Sequence, residues 1–279
     1  TASVCRAYVQ PRPLPPWKVW YTGSMFRYEK PQRGRYRQFD QVGIEVLGAD
    51  DPNLDVEVIA LAAGCYRDLG LRRVRLVLNS MGDLAGRAAF VDALREHLLG
   101  HADALGDRFR ERVEANALRV LDAKEPEWQD AIASAPQITE HLGPEALAHF
   151  ERVQEGLGAL GIEFELDPRL VRGFDYYTRT TFEFQSDALD AAQNAVGGGG
   201  RYDGLAEAMG GPSTPGIGFG IGVERLMLAL EAEDARPAGI GAHPVAFVVD
   251  GLGEAAGTHA LTLTAALREA GIATDRAYG

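Results

Sequence analysis

The alternating stretch at residues 39–46 limits the possible fold more than any other part of the chain. In an extended backbone, three β-branched residues of this stretch share one face, and three polar or small residues share the other. The apolar face carries Val42, Ile44 and Val46, and the opposite face carries Gln41, Gly43 and Glu45. We therefore expect the apolar face to pack into a hydrophobic core. Because Gly43 has no side chain beside the amide and the carboxylate, we expect room for a ligand on the polar face.

The elements around this strand predict a sheet flanked by helices. Aromatic and β-branched residues crowd positions 17–26, which favours a first strand, and a polar loop at 31–36 joins it to the second. Apolar residues then recur at helical spacing over 54–69, and Gly70 can end that helix. A third strand follows at 74–78. Strand, strand, helix, strand in this order predicts an antiparallel α+β fold.

The residue pattern changes twice in the rest of the chain. Helical sequence rich in Ala, Leu, Glu and Arg predicts an insertion, and strand-like sequence resumes at 162–166 and 176–185. A polar stretch broken by Pro and Gly then reads as a linker before a new strand and helix. We divide the chain into a first core segment at 1–81, a helical insertion at 82–161, a second core segment at 162–232, a linker at 233–243 and the start of an α/β domain at 244–279.

Composition excludes several classes of protein. None of the apolar runs in the 279 residues reaches the roughly 18 residues of a membrane-spanning helix. The chain opens without a cleavable leader, so we expect a cytoplasmic location. Cys5 and Cys65 are too few for a disulfide framework and lack zinc-site spacing, so we interpret both as plain thiols. Thr1 is not an initiator and Gly279 follows the beginning of a domain, so we expect both ends to be cut.

The distribution of charge is uneven. A formal net charge of −12 argues, taken alone, against a nucleic-acid binder. Residues 27–37 are nevertheless locally basic, which leaves a field that attracts polyanions. The basic residues of this segment are Arg27, Lys30, Arg33, Arg35 and Arg37, against the single acid Glu29.

The basic segment is the first of three that carry chemistry. A charged hairpin loop usually marks solvated surface, but the neighbouring Gln41 and Glu45 weaken that interpretation. Residues 26–45 read Phe-Arg-x-Glu, a loop, Gly-Arg, and then Arg-Gln-Phe-x-Gln-x-Gly-x-Glu. This order resembles the second signature motif of class II aminoacyl-tRNA synthetases in its histidyl form.

The resemblance implies a role for each matching residue. Arg27 would be catalytic and bind the α-phosphate of ATP, because a planar guanidinium forms bidentate bonds to phosphate oxygens. Glu29 and Arg35 would also bind ATP, and Gln41 and Glu45 would line the histidine pocket. The loop residues implied to contact the tRNA acceptor end are Lys30, Gln32 and Arg33. The family commonly has Arg where this chain has Lys30, which keeps the positive charge but cannot form the bidentate contacts of a guanidinium.

The second segment is Leu-Val-Arg-Gly-Phe-Asp-Tyr-Tyr at 170–177. Its aromatic residues alone would fit an ordinary strand. The segment is similar to the histidine signature of the family, with Phe174 in place of Leu. The resemblance implies that Arg172 is a second catalytic arginine at the α-phosphate and that Tyr176 and Tyr177 bind histidine. Glu45 and a tyrosine hydroxyl could then satisfy both imidazole nitrogens.

The third segment is a glycine-rich run at 216–222 followed by a helix. A dinucleotide-binding loop is the alternative, but the glycines alternate along one face of a strand, where they could expose backbone to a flat ligand. The segment resembles the third class II motif, so Arg225 in the first helical turn would bind the γ-phosphate of ATP. A preceding stretch, 197–205, matches the family too, although alone it would read as a flexible loop. Thr1 resembles the end of a family segment that binds the α-amino group of histidine.

Taken together, the resemblance implies a class II synthetase sheet that activates L-histidine with ATP and Mg²⁺ and charges tRNA(His), releasing AMP and diphosphate. It also implies a homodimer whose first motif would precede Thr1. We expect no metal ion held directly by the protein: His97 and His101 could share a helix face, but Gly100 intervenes and the Glu of a zinc motif is missing.

Two other functions fit the same family of folds. One is a non-catalytic paralogue that serves as a regulatory subunit in histidine biosynthesis, and the other is a sensor that binds uncharged tRNA. Regulatory paralogues tend to lose pocket or phosphate residues and the C-terminal domain, whereas this chain keeps those residues and begins an α/β domain near residue 244. The same intact set of residues argues against the sensor. The class II nucleotide site rests on Arg27 and Arg225 and would fit many amino acids, whereas histidine specificity depends on Gln41, Glu45 and residues 172–177.

Overall fold

The computed structural model describes residues 1–28, 30–31, 34–170, 176–190, 193–235, 246–248, 254–270, 272 and 274–276. Among these, contacts divide the chain into one unit at Thr1–Ala235 and a second at Arg236–Gly279. The helices are α1 Ala2–Val9, α2 Pro52–Asp68, α3 Leu84–Gly100, α4 Ala102–Leu105, α5 Asp107–Asn116, α6 Gln129–Ala133, α7 Pro144–Ala159, α8 Leu205–Ala208, α9 Val223–Ala232 and α10 Glu254–Glu269. The strands are β1 Trp17–Phe26, β2 Gln38–Leu47, β3 Val74–Ser80, β4 Glu165–Leu166, β5 Thr178–Ser186, β6 Ala195–Arg201, β7 Gly216–Gly222, β8 Ala246–Val248 and β9 Thr274–Arg276.

A seven-stranded sheet in the order β1-β2-β7-β6-β5-β3-β4 forms the first unit. Neighbouring strands are antiparallel except for β3 and β4. Every β2 residue from Gln41 to Leu47 pairs with β7, so the polar stripe of β2 lies beside the glycine-rich strand. The predicted α+β fold with an antiparallel sheet flanked by helices is confirmed.

The main core lies between the sheet and two helices. Ile59 of α2, Phe150 and Val153 of α7, and Phe182 of β5 belong to one buried cluster. Asp51 starts α2, where its carboxylate accepts a hydrogen bond from the backbone of Asn53 and caps the first turn. From the sequence we assigned residues 144–161 to the helical insertion. In the structure, α7 packs on α2 as part of this main core.

The helical insertion has a core of its own. Phe90, Leu94, Phe109 and Trp128 are buried together among α3, α5 and the short helices that follow. Three 3-10 turns complete this region, at Ala117–Val120, Pro126–Trp128 and Ile138–His141. Within the described residues, no helix is both long enough and apolar enough to cross a membrane.

The described part of the second unit is a parallel strand pair with one helix. β8 pairs with β9 in parallel, and α10 lies between them in the chain. This strand–helix–strand order agrees with the beginning of an α/β domain. The predicted boundaries of the linker and of this domain stay predictions.

Candidate active site

The carboxylate of Glu45 on β2 lies in a group of hydrogen-bonded, largely buried polar side chains, the Glu45 pocket. Its side chain is 1% exposed. Tyr202, which follows β6, donates a hydrogen bond of 2.5 Å to Oε2, and Tyr21 of β1 donates one of 3.3 Å to Oε1. The amide of Gln41 donates to the hydroxyl of Tyr21 at 3.0 Å. The predicted pair Gln41 and Glu45 is thus joined through a tyrosine that the sequence analysis did not single out.

Burial shifts the pKa values of the ionisable side chains in this pocket. It raises the pKa of Glu45, and the hydrogen bond from Tyr202 opposes that rise. Burial and the nearby carboxylate raise the pKa values of Tyr21 and Tyr202, so both phenols stay protonated and act as donors. Thr1, which was predicted to bind the α-amino group of histidine, lies beside the same carboxylate. Its backbone nitrogen is 3.3 Å from Oε1 of Glu45.

The alternating glycines of β7 make room for protein side chains. A Cβ at Gly216 would overlap the ring of Tyr202, one at Gly218 the carboxylate of Glu45, and one at Gly220 the amide of Gln41. A Cβ at Gly222 would meet nothing within 4 Å. The expectation that this row lies open to a flat ligand was therefore wrong at three of its four positions.

The space over Gly43 is also filled. A Cβ there would overlap the ring of Tyr21, its partner in the β1–β2 register. From the sequence we expected room for a ligand at this position. The glycine instead lets Tyr21 cross the strand to reach Glu45 and Gln41.

Tyr176 and Tyr177 have different surroundings. The ring of Tyr176 is half-buried and meets that of Tyr202 edge-on, with centroids 6.3 Å apart. Tyr177 is 6% exposed and belongs to the buried core of the insertion, where Arg87 donates to its carbonyl oxygen at 3.1 Å. Tyr176 is therefore the nearer of the two to the Glu45 pocket.

Three predicted phosphate-binding arginines line one cleft of about 350 Å³. They are Arg27, Arg35 and Arg225. The guanidinium of Arg27 lies 4.2 Å from the ring centroid of Phe39, and its Nε donates to the carbonyl oxygen of Tyr36 at 2.8 Å. Gln41 also lines this cleft, so it borders both the Glu45 pocket and the arginine cleft.

Arg225 connects three parts of the cleft wall. It lies in the first turn of α9, directly after the glycine-rich strand, as the sequence predicted. Its Nε donates to the carbonyl oxygen of Gly34 at 3.0 Å, and its Nη1 donates to that of Ala195 at 2.8 Å. Gly34 sits at φ +71°, a conformation that glycine adopts easily.

Several predicted residues fall elsewhere. Lys30 is exposed in the loop. Four other predicted site residues lie outside the described part of the chain: Glu29, Gln32, Arg33 and Arg172. Cys5 and Cys65 are free thiols, and burial raises the pKa of Cys5 to about 11.

The cleft also contains two carboxylates that the sequence analysis missed, Glu183 of β5 and Glu224 of α9. Glu224 accepts a hydrogen bond of 2.8 Å from the backbone of Asp40. Neither residue stands in a distinctive pattern in the sequence, although Glu224 directly precedes Arg225. Among the described residues, no group of three or more His, Cys, Asp or Glu side chains could hold a metal ion.

This arrangement defines a class of protein. Arginines from a strand hairpin and from the start of a helix line one cleft on a mostly antiparallel sheet, an arrangement that fits the fold of class II aminoacyl-tRNA synthetases. The chain belongs to the histidyl-tRNA synthetase family, because a family model described as Histidyl-tRNA synthetase matches residues 1–226.

Individual relatives agree with this assignment. A Histidine--tRNA ligase from Nocardia farcinica is 50% identical over 282 residues, which cover 100% of this chain and 66% of the relative. The chain thus spans about 66% of that protein's length. A crystal structure of apo histidyl-tRNA synthetase from S. aureus superposes with a TM-score of 0.76 at 39% identity, over 100% of this chain and 67% of that chain.

A more distant structure shares the fold alone. It is described as an ATP phosphoribosyltransferase regulatory subunit/histidyl-tRNA synthetase from Bacillus halodurans. It is 22% identical, with a TM-score of 0.65, and the match covers 99% of this chain and 72% of that chain.

Proposed function

We propose that the chain carries the catalytic site that activates L-histidine with ATP and transfers it to tRNA(His). The observation that carries the proposal is the position of Gln41, which lines the arginine cleft and also hydrogen-bonds within the Glu45 pocket. An amino-acid pocket and a phosphate site with a shared wall suit a reaction that joins a carboxylate to a phosphate.

The chemistry of the first step needs positioning more than proton transfer. The carboxylate of histidine is ionised at neutral pH and attacks the α-phosphate of ATP in line, with diphosphate as the leaving group. Arg27 would bind the α-phosphate, and Arg225 would bind the γ-phosphate. Fixed guanidinium groups stabilise the charge that develops on the phosphoryl oxygens. Arg172 would add a second arginine at the α-phosphate.

The pocket around Glu45 would select histidine. The buried carboxylate can accept a hydrogen bond from one imidazole nitrogen, and a tyrosine hydroxyl can donate to the other. A substrate that left these buried groups unpaired would be rejected by factors of about 10⁴ or more. Thr1 and Gln41 would hold the α-amino and carboxylate end of the amino acid.

The cleft fits an ATP-bound Mg²⁺ ion. Glu183 and Glu224 line the cleft and would supply carboxylate oxygens, the ligand type that Mg²⁺ prefers. When bound, the ion would neutralise charge on the β- and γ-phosphates. We propose that the triphosphate would hold most of the coordination of the ion, as Mg²⁺ usually binds through substrate phosphates and one or two carboxylates.

The remaining partners follow from family membership. Lys30, Gln32 and Arg33 would contact the acceptor end of tRNA(His), and the active form would be a cytoplasmic homodimer. The regulatory-subunit alternative draws on a structure that shares only the fold. It would not require Arg27 and Arg225 in the same cleft as Gln41.

Histidine-dependent exchange of labelled pyrophosphate into ATP tests the proposal on the full-length protein, followed by charging of tRNA(His). We expect exchange with histidine alone among the amino acids. Arg27→Ala and Arg172→Ala should each reduce it by roughly 10²-fold or more. Arg67→Ala is the matched control, because this arginine is 78% exposed on α2. Exchange that ignores histidine, or near-normal exchange in both active-site variants, would overturn the proposal.

A further inference from the structure

A buried ion pair joins β6 to α2. Arg201 ends β6, and Asp55 lies in the first turn of α2; both side chains are 0% exposed. Nε of Arg201 lies 3.2 Å from Oδ1 and 3.3 Å from Oδ2 of Asp55, and Nη2 also binds Oδ1. His149 of α7 approaches the same carboxylate, with Nε2 2.8 Å from Oδ2. The guanidinium thus ties the end of the strand to α2, and the carboxylate of Asp55 in turn ties α2 to α7.

The same arginine also binds the chain two residues further on. Nη1 of Arg201 lies 3.2 Å from Oδ1 of Asp203, and that oxygen accepts a hydrogen bond of 3.2 Å from the backbone of Gly216. Between these anchors, the backbone nitrogen of Tyr202 donates to the carbonyl oxygen of Gly216 at 2.8 Å. The backbone on both sides of Tyr202 is therefore fixed by charged or hydrogen-bonded contacts.

Arg201 and Tyr202 serve opposite sides of the sheet. Side chains of consecutive residues in extended backbone point to opposite faces. Arg201 reaches Asp55 of α2 on the helical side, whereas the hydroxyl of Tyr202 reaches Glu45 on the pocket side. The ion pair on one face and the tyrosine hydroxyl on the other thus belong to adjacent residues of one stretch of backbone.

Stability alone is a weak explanation for such a pair. Removing two charges from water costs free energy that their attraction barely offsets, and apolar replacements of buried ion pairs are often as stable. A bidentate guanidinium–carboxylate contact does, however, fix direction as well as distance. We propose that Arg201 is a positioning residue for histidine recognition, which acts by holding the Tyr202 hydroxyl against Glu45. This inference rests on the proposed function and adds a residue to it.

The first test substitutes lysine for Arg201. This change keeps the positive charge but removes the planar guanidinium that binds both oxygens of the carboxylate. In Arg201→Lys we expect the KM for histidine to rise about tenfold or more, the usual effect of losing a hydrogen bond to a charged group. The KM for ATP should change less than about twofold. Arg75→Lys is the matched control, because Arg75 is also a strand arginine with several partners, Glu165, Gln185 and Asp187. A lower kcat with both KM values unchanged is the result of a purely structural role and would overturn the inference.

A double-mutant cycle tests the route through Tyr202. If Arg201 acts by placing the tyrosine hydroxyl, then Arg201→Lys should add little to the histidine KM of Tyr202→Phe. Additive effects would contradict that route. Asp203→Asn provides a milder change at a side chain that is 25% exposed, should Arg201→Lys fail to fold. We expect a several-fold rise in the histidine KM, and an unchanged value would overturn the inference.

Calorimetric titration with histidine separates this inference from the proposed function. Binding needs no chemistry, so it should be weaker in Arg201→Lys than in the wild type even if exchange is absent from both. Absent exchange with intact wild-type binding would overturn the proposed reaction alone. Equal histidine affinity in the two proteins would overturn the positioning role alone.

Discussion

The hydroxyl of Tyr202 reaches Oε2 of Glu45 across an intervening strand, in a hydrogen bond of 2.5 Å. Tyr202 follows β6 and Glu45 lies in β2, and β7 runs between these two strands. Gly216 and Gly218 of β7 carry no side chains, so the ring and the carboxylate meet above that strand. The glycine-rich strand and the polar pocket are therefore parts of one arrangement.

Removing this hydroxyl should weaken histidine recognition. We expect Tyr202→Phe to raise the KM for histidine by about tenfold or more, because a buried carboxylate loses a donor. The hydrogen bond lowers the pKa of Glu45, so that pKa rises in the variant. The acid limb of kcat/KM for histidine should then move to higher pH in pyrophosphate exchange. Tyr8→Phe, at a tyrosine that is 7% exposed in the same cluster, is the control. Matching pH profiles for both variants would contradict this role.

A methyl group on β7 should displace the carboxylate itself. In Gly218→Ala the added Cβ would overlap Glu45 and the carbonyl oxygen of Ile44. Displacement of a binding group by about 1 Å can cost roughly 10²-fold in rate, so we expect a loss of that order in histidine-dependent exchange. Gly100→Ala meets nothing within 4 Å and should stay near wild-type activity. The idea fails if the two alanine variants are equally active.

The sequence predicted the residues of the site better than their contacts. The stripe of Gln41 and Glu45 follows from the period of two along β2, which is a local property. The partners Tyr21 and Tyr202 depend on the register of β1 with β2 and on the strand order β2-β7-β6, which local patterns do not fix. They could have been sought by asking which bulky side chains the glycines accommodate.

Residues 195–201 also show that local sequence patterns do not reveal contacts between distant strands. The glycines of this stretch read as a flexible loop when taken alone, yet they form β6 in the middle of the sheet. Cβ atoms at Gly199 and Gly200 would overlap the backbone of β7 or approach that of β5 too closely. The need for glycine comes from neighbours distant in the chain, so composition alone gave the wrong interpretation.

Arg225 should matter for ATP more than for histidine. Its Nε and Nη1 donate hydrogen bonds to the carbonyl oxygens of Gly34 and Ala195, at 3.0 and 2.8 Å, which holds the guanidinium at the cleft. Arg225→Lys keeps a charge but cannot form both contacts and a bidentate phosphate bond. We expect the KM for ATP to rise about tenfold or more, with a smaller change for histidine. Arg67→Lys, at the exposed arginine of α2, should change neither value. An equal rise in both KM values would argue against a phosphate role.

Two glycines of α7 should respond to alanine in opposite ways. Gly158→Ala adds a Cβ with nothing within 4 Å and should stabilise the helix by about 0.5–1 kcal/mol. Gly156→Ala places its Cβ 2.7 Å from Cγ2 of Val56 in the main core. Overpacking costs roughly 1–3 kcal/mol, which offsets or exceeds the helical gain. Thermal unfolding should rank Gly156→Ala below Gly158→Ala, and equal midpoints would show that α7 does not pack on α2 this closely.

The stability given by Asp55 should depend on pH. Burial raises the pKa of this carboxyl, but His149 and Arg201 lower it more, so the folded-state pKa lies below the usual value. Ionised Asp55 therefore stabilises the fold above the unfolded-state pKa, and this contribution is lost as the pH falls through the folded-state value. Asp55→Asn should cost roughly 3–5 kcal/mol near pH 7, because Arg201 stays buried without its partner.

The difference in the free energy of unfolding between wild type and Asp55→Asn should narrow by roughly 1 kcal/mol between pH 7 and pH 3. This is because at low pH the carboxylate of wild-type Asp55 takes up a proton when the protein unfolds. Scanning calorimetry across this range measures it. Asp68→Asn is the matched control on the same helix, since Asp68 is 74% exposed and should change stability by less than about 0.5 kcal/mol. A gap that stays constant with pH would mean that Asp55 is not held ionised by Arg201 and His149.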